Sequence, residues 1–241
     1  MASDAGQLTN QLLATLKPRD LALLSPRLEP VTFARGEVLF EPGDDVTHVC
    51  FPGRDMVAAL VLDLQEGATA EAAMVGCEGA AGAIVSEGDK PAFARGVVQI
   101  GGHGHRLPAK TLDDAKQRSP ELRDHFARYA DCLMAQVLQS VACNASHALE
   151  DRMARWLLTL QDRLGGAQLR VTQEFIAQML GVQRSYVAHV LHALEAGGSI
   201  RRARALITVT DRARLEGQAC ECYEAVRLHF ERVLPGVYPA P

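Results

Sequence analysis

The spacing of apolar residues changes character along the chain and divides it into segments. Across Gln7 to Leu24, the residues Leu8, Leu12, Leu16, Leu21, Leu23 and Leu24 predict short helical turns broken at Pro18. From Glu29 to Ala109 the texture shifts. Short apolar runs such as Val46 to Phe51 and Met56 to Leu64 alternate with turn residues, among them Gly36, Pro42-Gly43, Pro52-Gly53, Gly67, Gly76, Gly79 and Gly82. That pattern predicts an all-β barrel or roll. Leu122, Phe126, Tyr129, Leu133, Val137 and Val141 then step by three or four. They predict one amphipathic helix of about 25 residues from Pro120 to Asn144, with Ser119 as N-cap and Pro120 in the first turn. A helix of this length between two domains suits packing against its own copy in a dimer; packing on its own domain alone is the other reading.

The second half of the chain is helical in pattern, with one interruption. Leu149, Met153, Trp156, Leu157 and Leu160 form one helical face that Gly165-Gly166 ends. Thr172 is a candidate N-cap for a helix whose inward residues are Phe175, Ile176, Met179 and Leu180. Gly181 supplies the positive φ of a tight turn, and Val182 fills the corner beyond it. Val187, Val190, Leu191 and Leu194 make the buried face of a second helix. Gln183, Arg184, Ser185, Tyr186 and His189 are thereby left on its open side, near its N-terminus. Two short β-prone pieces follow between Ser199 and Asp211, with Arg201, Arg202 and Arg204 in or beside their connection. Leu215 to Leu234 reads as a last amphipathic helix, with Ala219, Tyr223, Val226, Phe230 and Val233 inward.

This arrangement is what a winged helix-turn-helix needs. A recognition helix enters the major groove with its N-terminal residues at the base edges. Arginine can bond guanine through O6 and N7, and glutamine or serine can read a base edge or hold a phosphate. Gln183, Arg184, Ser185, Tyr186 and His189 are the candidate base contacts. Thr172, Arg201, Arg202 and Arg204 are the candidate contacts to the DNA backbone.

Composition supports this reading only locally. The 241 residues are 48% hydrophobic and 22% charged, enough apolar material for two cores. A net charge of −4 argues against a nucleic-acid binder, yet Arg163 to Arg214 holds 8 arginines against Glu174, Glu195 and Asp211. A DNA surface needs only one such basic face. No leader pattern opens the sequence and no apolar run reaches membrane-spanning length, so no membrane partner is expected. The six cysteines are scattered, which fits a reducing cytoplasm.

With these pieces in order, the sequence resembles the Crp/Fnr family of bacterial regulators, from about Leu21 to Leu234. Phe33 to Gly43 looks like the opening of the family's β-roll, and Val75 to Gly82 like its central turn. Leu122 to Val141 is similar to the dimerisation helix, and Thr172 to Leu194 with Arg201 to Thr210 to the DNA-binding unit. The resemblance implies an α+β protein in three parts. Residues 1–118 would form N-terminal helical turns and a jelly roll like a cyclic-nucleotide-binding domain. Residues 119–146 would form the dimerisation helix, and residues 147–241 the winged helix-turn-helix. It implies a homodimer on double-stranded DNA, no catalysis, and RNA polymerase as a further candidate partner.

The departures from the family matter equally. Cyclic-nucleotide binders carry Gly-Glu in the phosphate-binding turn, then Arg-Ser/Thr-Ala. Here the turn reads Glu78-Gly79-Ala80, Pro91-Ala92 falls near the second point, and Arg95 is followed by Gly96-Val97. A buried phosphate would lack its charge-assisted partner. Cyclic AMP dependence is therefore not expected, and Gly76, Cys77, Glu78, Gly79 and Arg95 stand as the candidate effector turn for an unknown ligand. A nucleotide- or cyclic-dinucleotide-gated regulator is the alternative. No cysteine precedes Cys50, so the N-terminal iron–sulfur sensor of oxygen-responsive members is not expected. No cofactor is expected.

Three lesser candidates complete the reading. His103 and His105 resemble the His-x-His of metal-dependent cupin enzymes but have no nearby Glu. Cys220 and Cys222 with His229 do not have a standard zinc spacing, and residues two apart on a helix do not share a face. Neither is expected to hold a metal. Cys77 in the roll's central turn is a candidate redox sensor, with a small core residue as the plainer reading.

Overall fold

The computed structural model describes residues 8–64, 69–84 and 91–239. Gln7 and Gly67, assigned above to a helical turn and a loop, lie outside the described residues. Two short helices, α1 (Gln11–Ala14) and α2 (Pro18–Leu24), open the chain. Asn10 caps α1 by accepting from the Leu13 N–H, and its buried amide donates to the carbonyls of Pro52 and Gly79, both at 2.9 Å. The helical turns are thus tied to the roll behind them.

Among the described residues, seven strands build the roll: β1 (Glu29–Phe33), β2 (Val38–Phe40), β3 (His48–Pro52), β4 (Val57–Asp63), β5 (Thr69–Val75), β6 (Arg95–Ile100) and β7 (Gly102–Pro108). They form two antiparallel sheets, ordered β1-β7-β3 and β2-β6-β4-β5. Phe33, Phe40, Cys50, Met56, Ala58, Val75 and Val98 fill the space between them. The short runs between turn signals therefore do form strands, and along β3, β4 and β5 alternate residues divide between this core (Cys50, Ala58, Val75) and neighbouring ones (Val49, Val57, Met74).

Helix α3 (Ala109–Arg118) leads into α4 (Pro120–Ser146). Ser119 caps α4 by accepting from the Leu122 N–H and donates to Asp20 at 2.7 Å, and Pro120 occupies the first turn. The helix exists as its periodicity predicts, but its apolar stripe serves a different neighbour. Leu122, Phe126 and Tyr129 are 0, 4 and 1% exposed and pack with Leu12, Phe51 and Leu107 of the same chain. Leu133 packs against the core between the sheets. Of the six residues expected on the dimer face, only Val141 is open, at 64%, and it shares an outward stripe with Met134 and Leu138. The roll claims the stripe richest in aromatics because those residues remove the most apolar area from water.

The remaining elements are α5 (Leu149–Leu164), β8 (Gln168–Leu169), α6 (Gln173–Leu180), α7 (Arg184–Ala196), β9 (Ile200–Ala203), β10 (Leu206–Val209), α8 (Arg212–Glu216) and α9 (Cys222–Val233). A second core gathers Met153, Trp156, Leu157, Leu160, Ile176, Val187, Val190, Leu191 and Ile207. The helix expected over Leu215 to Leu234 is two helices. Gly217 ends α8, and Gln218 to Glu221 reverse the chain before α9 starts. Helix α9 then packs along α4, and Phe230, Leu234 and Val237 join the core of the N-terminal helices. The chain after residue 221 thus lies against the first part of the molecule rather than extending the winged unit.

Candidate nucleic-acid interface

Local chemistry sets the helix-turn-helix. The Thr172 hydroxyl accepts from the Phe175 N–H at 3.1 Å and starts α6. Gly181 ends it at φ 65° and ψ 40°, where an L side chain is disfavoured. Val187, Val190, Leu191 and Leu194 are buried, which anchors α7 in the second core. Arg184, Ser185 and Tyr186 are exposed at its N-terminal end, with Gln183 and His189 beside them on the same open side. The five residues named as base contacts are thus all exposed around the N-terminal half of α7.

Their immediate partners differ. Arg184 approaches Glu174 only at 3.9 Å, and both side chains are largely in solvent. Tyr186 leans toward α5 and donates its hydroxyl to Glu150 at 3.3 Å. The Glu150 carboxylate holds the Tyr186 phenol above its ordinary pKa, so the ring stays neutral.

The wing is the three-stranded sheet β8-β10-β9, with Arg204 and Ala205 at its tip. Ala205 has φ 54°, unusual for a residue with a Cβ. Arg201 and Arg204 are exposed. Arg202, grouped with them on sequence, is occupied differently. Its guanidinium lies 2.6 Å from Glu195 and its backbone N–H donates to the same carboxylate at 2.8 Å. These bonds hold Glu195 below the usual carboxylate range and fasten the base of the wing to α7. A cleft of about 450 Å³ separates wing from helices, lined by Thr172, Glu174, Arg184, Arg202, Arg204 and Leu206 among others. Thr172 lies at its edge with its oxygen already used as a cap.

The candidate effector turn is closed from within. Glu78 is 2% exposed and accepts from Arg163 of α5, with Nη2 at 2.8 Å and Nε at 2.9 Å. Arg163, 0% exposed, also donates to Gln136 of α4 at 2.9 Å and to the Thr159 carbonyl at 3.0 Å. The turn glycines serve this packing. A Cβ on Gly76 would lie 2.5 Å from Cγ of Arg163, and one on Gly79 would lie 2.5 Å from the Tyr129 hydroxyl. That hydroxyl accepts from the Ala80 N–H at 3.0 Å. Arg95 is not at the turn; it pairs with Glu41 at 2.7 Å and Asp63 at 3.1 Å. Burial pushes the Cys77 thiol up to about 12, which disfavours its thiolate.

The lesser candidates are placed as follows. His103 pairs with Asp55 at 2.6 Å on the surface, and His229 with Asp131 at 2.7 Å. Among the described residues, neither histidine gathers further metal-ligating groups. Sequence reasoning did not find Arg163 as the partner of Glu78, because no local pattern links residues 85 positions apart.

Comparison with known proteins gives this geometry its context. Residues 151–217 match the model of the Crp-like helix-turn-helix domain. The chain carries a Crp-like helix-turn-helix domain on a Crp/Fnr-like fold. A CRP-like cAMP-activated global transcriptional regulator from Mycobacterium tuberculosis is 26% identical over 221 residues, covering 85% of this chain and 94% of the relative. The fold matches a CRP-family transcriptional regulator from Thermus thermophilus with a TM-score of 0.65 at 24% identity, over 78% of this chain and 96% of the other. It matches FixK2 from Bradyrhizobium japonicum with a TM-score of 0.68 at 14% identity, over 80% and 98% of the two chains. The chain thus shows a Crp/Fnr-like fold, with a β-rich N-terminal domain, a long helix and a C-terminal helix-turn-helix that matches the Crp-like domain. Among the described residues, no helix is long and apolar enough to cross a membrane.

Proposed function

We propose that this Crp/Fnr-type regulator works in the cytoplasm as a homodimer that reads double-stranded DNA with the N-terminal end of α7, without cyclic AMP. The observation that carries the reading is the polarity of α7. Its apolar face is sealed in the second core, while Gln183, Arg184, Ser185, Tyr186 and His189 around its N-terminal half are exposed. Arg184 is the residue for direct base contact, and Arg201 and Arg204 are the residues for phosphates. Thr172 lies beside them for a further backbone contact, and Arg202 acts chiefly by holding the wing.

The dimer is supported by the outward stripe of α4. Met134, Leu138 and Val141 are 57, 62 and 64% exposed and are spaced by four and three, the interval of a two-helix seam. Independence from cyclic AMP is supported by the turn at residues 76–79, whose carboxylate and backbone are already bonded within the protein. RNA polymerase is the further partner that the family suggests. Parts 1–118, 119–146 and 147–241 are the working division into roll, dimer helix and DNA-binding unit.

A second reading has a specific observation behind it. A cavity of about 220 Å³ lies between β6 and α6, where Arg35 and Arg95 flank Gln99, Phe175 and Met179. A ligand there would touch both the roll and the helix-turn-helix. The c-di-GMP responsive regulator CLP from Xanthomonas campestris shares the fold with a TM-score of 0.64. Calorimetry with cyclic di-GMP and cyclic AMP separates the readings, since binding heat lost in Arg35→Ala would favour a nucleotide-gated protein.

The test is selection from a pool of random duplex DNA at a stated salt concentration. A two-fold symmetric site enriched without added nucleotide is the expected result. No enrichment, with or without nucleotides, overturns sequence-specific recognition.

A further inference from the structure

Four side chains far apart in sequence meet where α4 gives way to α5. Cys143 lies in the last turn of α4, and His147 directly follows the helix. Cys220 lies in the reversal after α8, and Cys222 opens α9. One ligand atom from each lies within 4.8 Å of all the others. The three cysteines are 0, 8 and 1% exposed. We propose that Cys143, His147, Cys220 and Cys222 bind a single thiophilic divalent cation, zinc foremost, that clasps the α4–α5 joint to the C-terminal segment.

The donor set and its dimensions fit one ion. Three thiolates and one imidazole are a common tetrahedral set for structural zinc. With metal–sulfur bonds of about 2.3 Å, two sulfurs on one tetrahedral ion stand roughly 3.8 Å apart. The Cys143 and Cys220 sulfurs are 3.5 Å apart, much closer to that spacing than to a disulfide. Soft sulfur donors select zinc over magnesium or calcium.

The surroundings are those of a metal site as well. His147 turns Nδ1 toward the Cys222 sulfur at 3.5 Å and Nε2 toward Glu221 at 3.3 Å. A ligating histidine commonly gives its other ring N–H to a carboxylate in this way. Gln139 donates to the Cys222 sulfur at 3.1 Å, a bond that would stabilise a thiolate. Arg155 of α5 also favours the thiolate at Cys143, against the effect of burial, while burial lowers the Arg152 pKa against the opposing pull of charge at Cys143 and Cys220. These arginines would balance a site that three thiolates leave negative.

The backbone explains why the Cys-x-Cys pair can converge. Cys220 precedes α9 and takes the conformation of the reversal, so the pair is not bound by helical geometry. His147, the residue that caps the end of α4, donates its backbone N–H to the Cys143 carbonyl at 3.0 Å, which keeps the two residues together where the helix stops. Ligand binding here would join the two chain segments that set how α5, and with it the helix-turn-helix, is carried on α4.

The test uses the full chain, expressed with zinc and kept reduced. Elemental analysis should find about one zinc per chain. Cys220→Ser and Cys222→Ser should each lose it, and His229→Ala should keep it. Cobalt(II) substituted into the wild-type chain should give sulfur-to-metal charge-transfer bands and the intense visible bands of a tetrahedral site. The cobalt spectrum reads the site without any substitution that could disturb folding. Wild-type protein that takes up neither zinc nor cobalt overturns the proposal. So does zinc retained in both cysteine variants, inorganic sulfide bound with iron at these residues, or a Cys143–Cys220 disulfide in the reduced protein.

Discussion

Two glycine-bearing turns in this molecule carry polar side chains, and they use them in opposite ways. The turn at residues 76–79 folds its carboxylate inward, where Glu78 meets Arg163 at 2.8 Å with both side chains buried. The turn at Gly181 points its polar neighbours outward, and Arg184 has only a distant surface carboxylate at 3.9 Å. Buried charges must be paired, because each has lost its water. Exposed ones can wait for a partner, because water solvates them meanwhile. The turn at residues 76–79 is a joint between roll, α4 and α5, whereas the turn at Gly181 keeps its polar neighbours open.

The largest test of this contrast is to cut the inner pair. Glu78→Ala leaves the Arg163 charge buried without its partner and should cost about 3–5 kcal/mol of stability, read by urea denaturation. Replacing both groups, Glu78→Leu with Arg163→Met, should recover most of that loss. If Glu78→Ala is as stable as wild type, the turn is not a joint. At the outer turn, Arg184→Ala should leave stability unchanged. It should relax preference at one base pair at a cost of about 1–3 kcal/mol, read by repeating the DNA selection.

The wing arginines sharpen the same distinction between occupied and free groups. Arg201→Ala and Arg204→Ala should weaken binding to all sequences alike and reduce the salt slope by about one each. Arg202→Ala should leave the salt slope nearly unchanged and loosen the wing instead, because its guanidinium already holds Glu195. An equal slope change for all three would remove that difference.

The smallest effect expected is a pH dependence at the contact of roll and α5. Glu71 is half-buried and takes bonds from Trp156 at 3.3 Å and Gln99 at 2.5 Å. Burial raises its pKa despite those bonds. Its folded value lies above its unfolded one, so its stabilising contribution is full below the unfolded value of about 4.3 and falls as pH rises through the folded value. Glu71→Gln should flatten stability against pH over that interval, as measured by thermal melts. An unchanged profile would mean that Glu71 stays ionised in place.

Much of the fold was legible because its signals are local. Ser119-Pro120, Thr172, Gly165 and Gly181 mark helix ends through their own hydroxyls, ring or φ, and the structure uses each of them that way. The open face of α7 was legible for the same reason, since its buried residues alternate with the exposed ones at helical period. The face of α4 was not. A helix with two apolar stripes does not say which one meets the roll, and Leu122, Phe126 and Tyr129 went to the roll. The pairing of Glu78 with Arg163 and the meeting of Cys143 with Cys220 arise only when distant segments pack. The break at Gly217 was obscured by the apolar periodicity that runs through it.

The path of α9 also constrains how this chain folds during synthesis. Phe230, Leu234 and Val237 complete a core that begins with Leu12 and Leu13. A ribosome makes the first of these residues many seconds before the last, at about 5–20 residues per second. Throughout that interval the N-terminal helices expose apolar surface that the rest of the roll does not cover. The helix-turn-helix therefore emerges from the ribosome before the core of the N-terminal helices is complete.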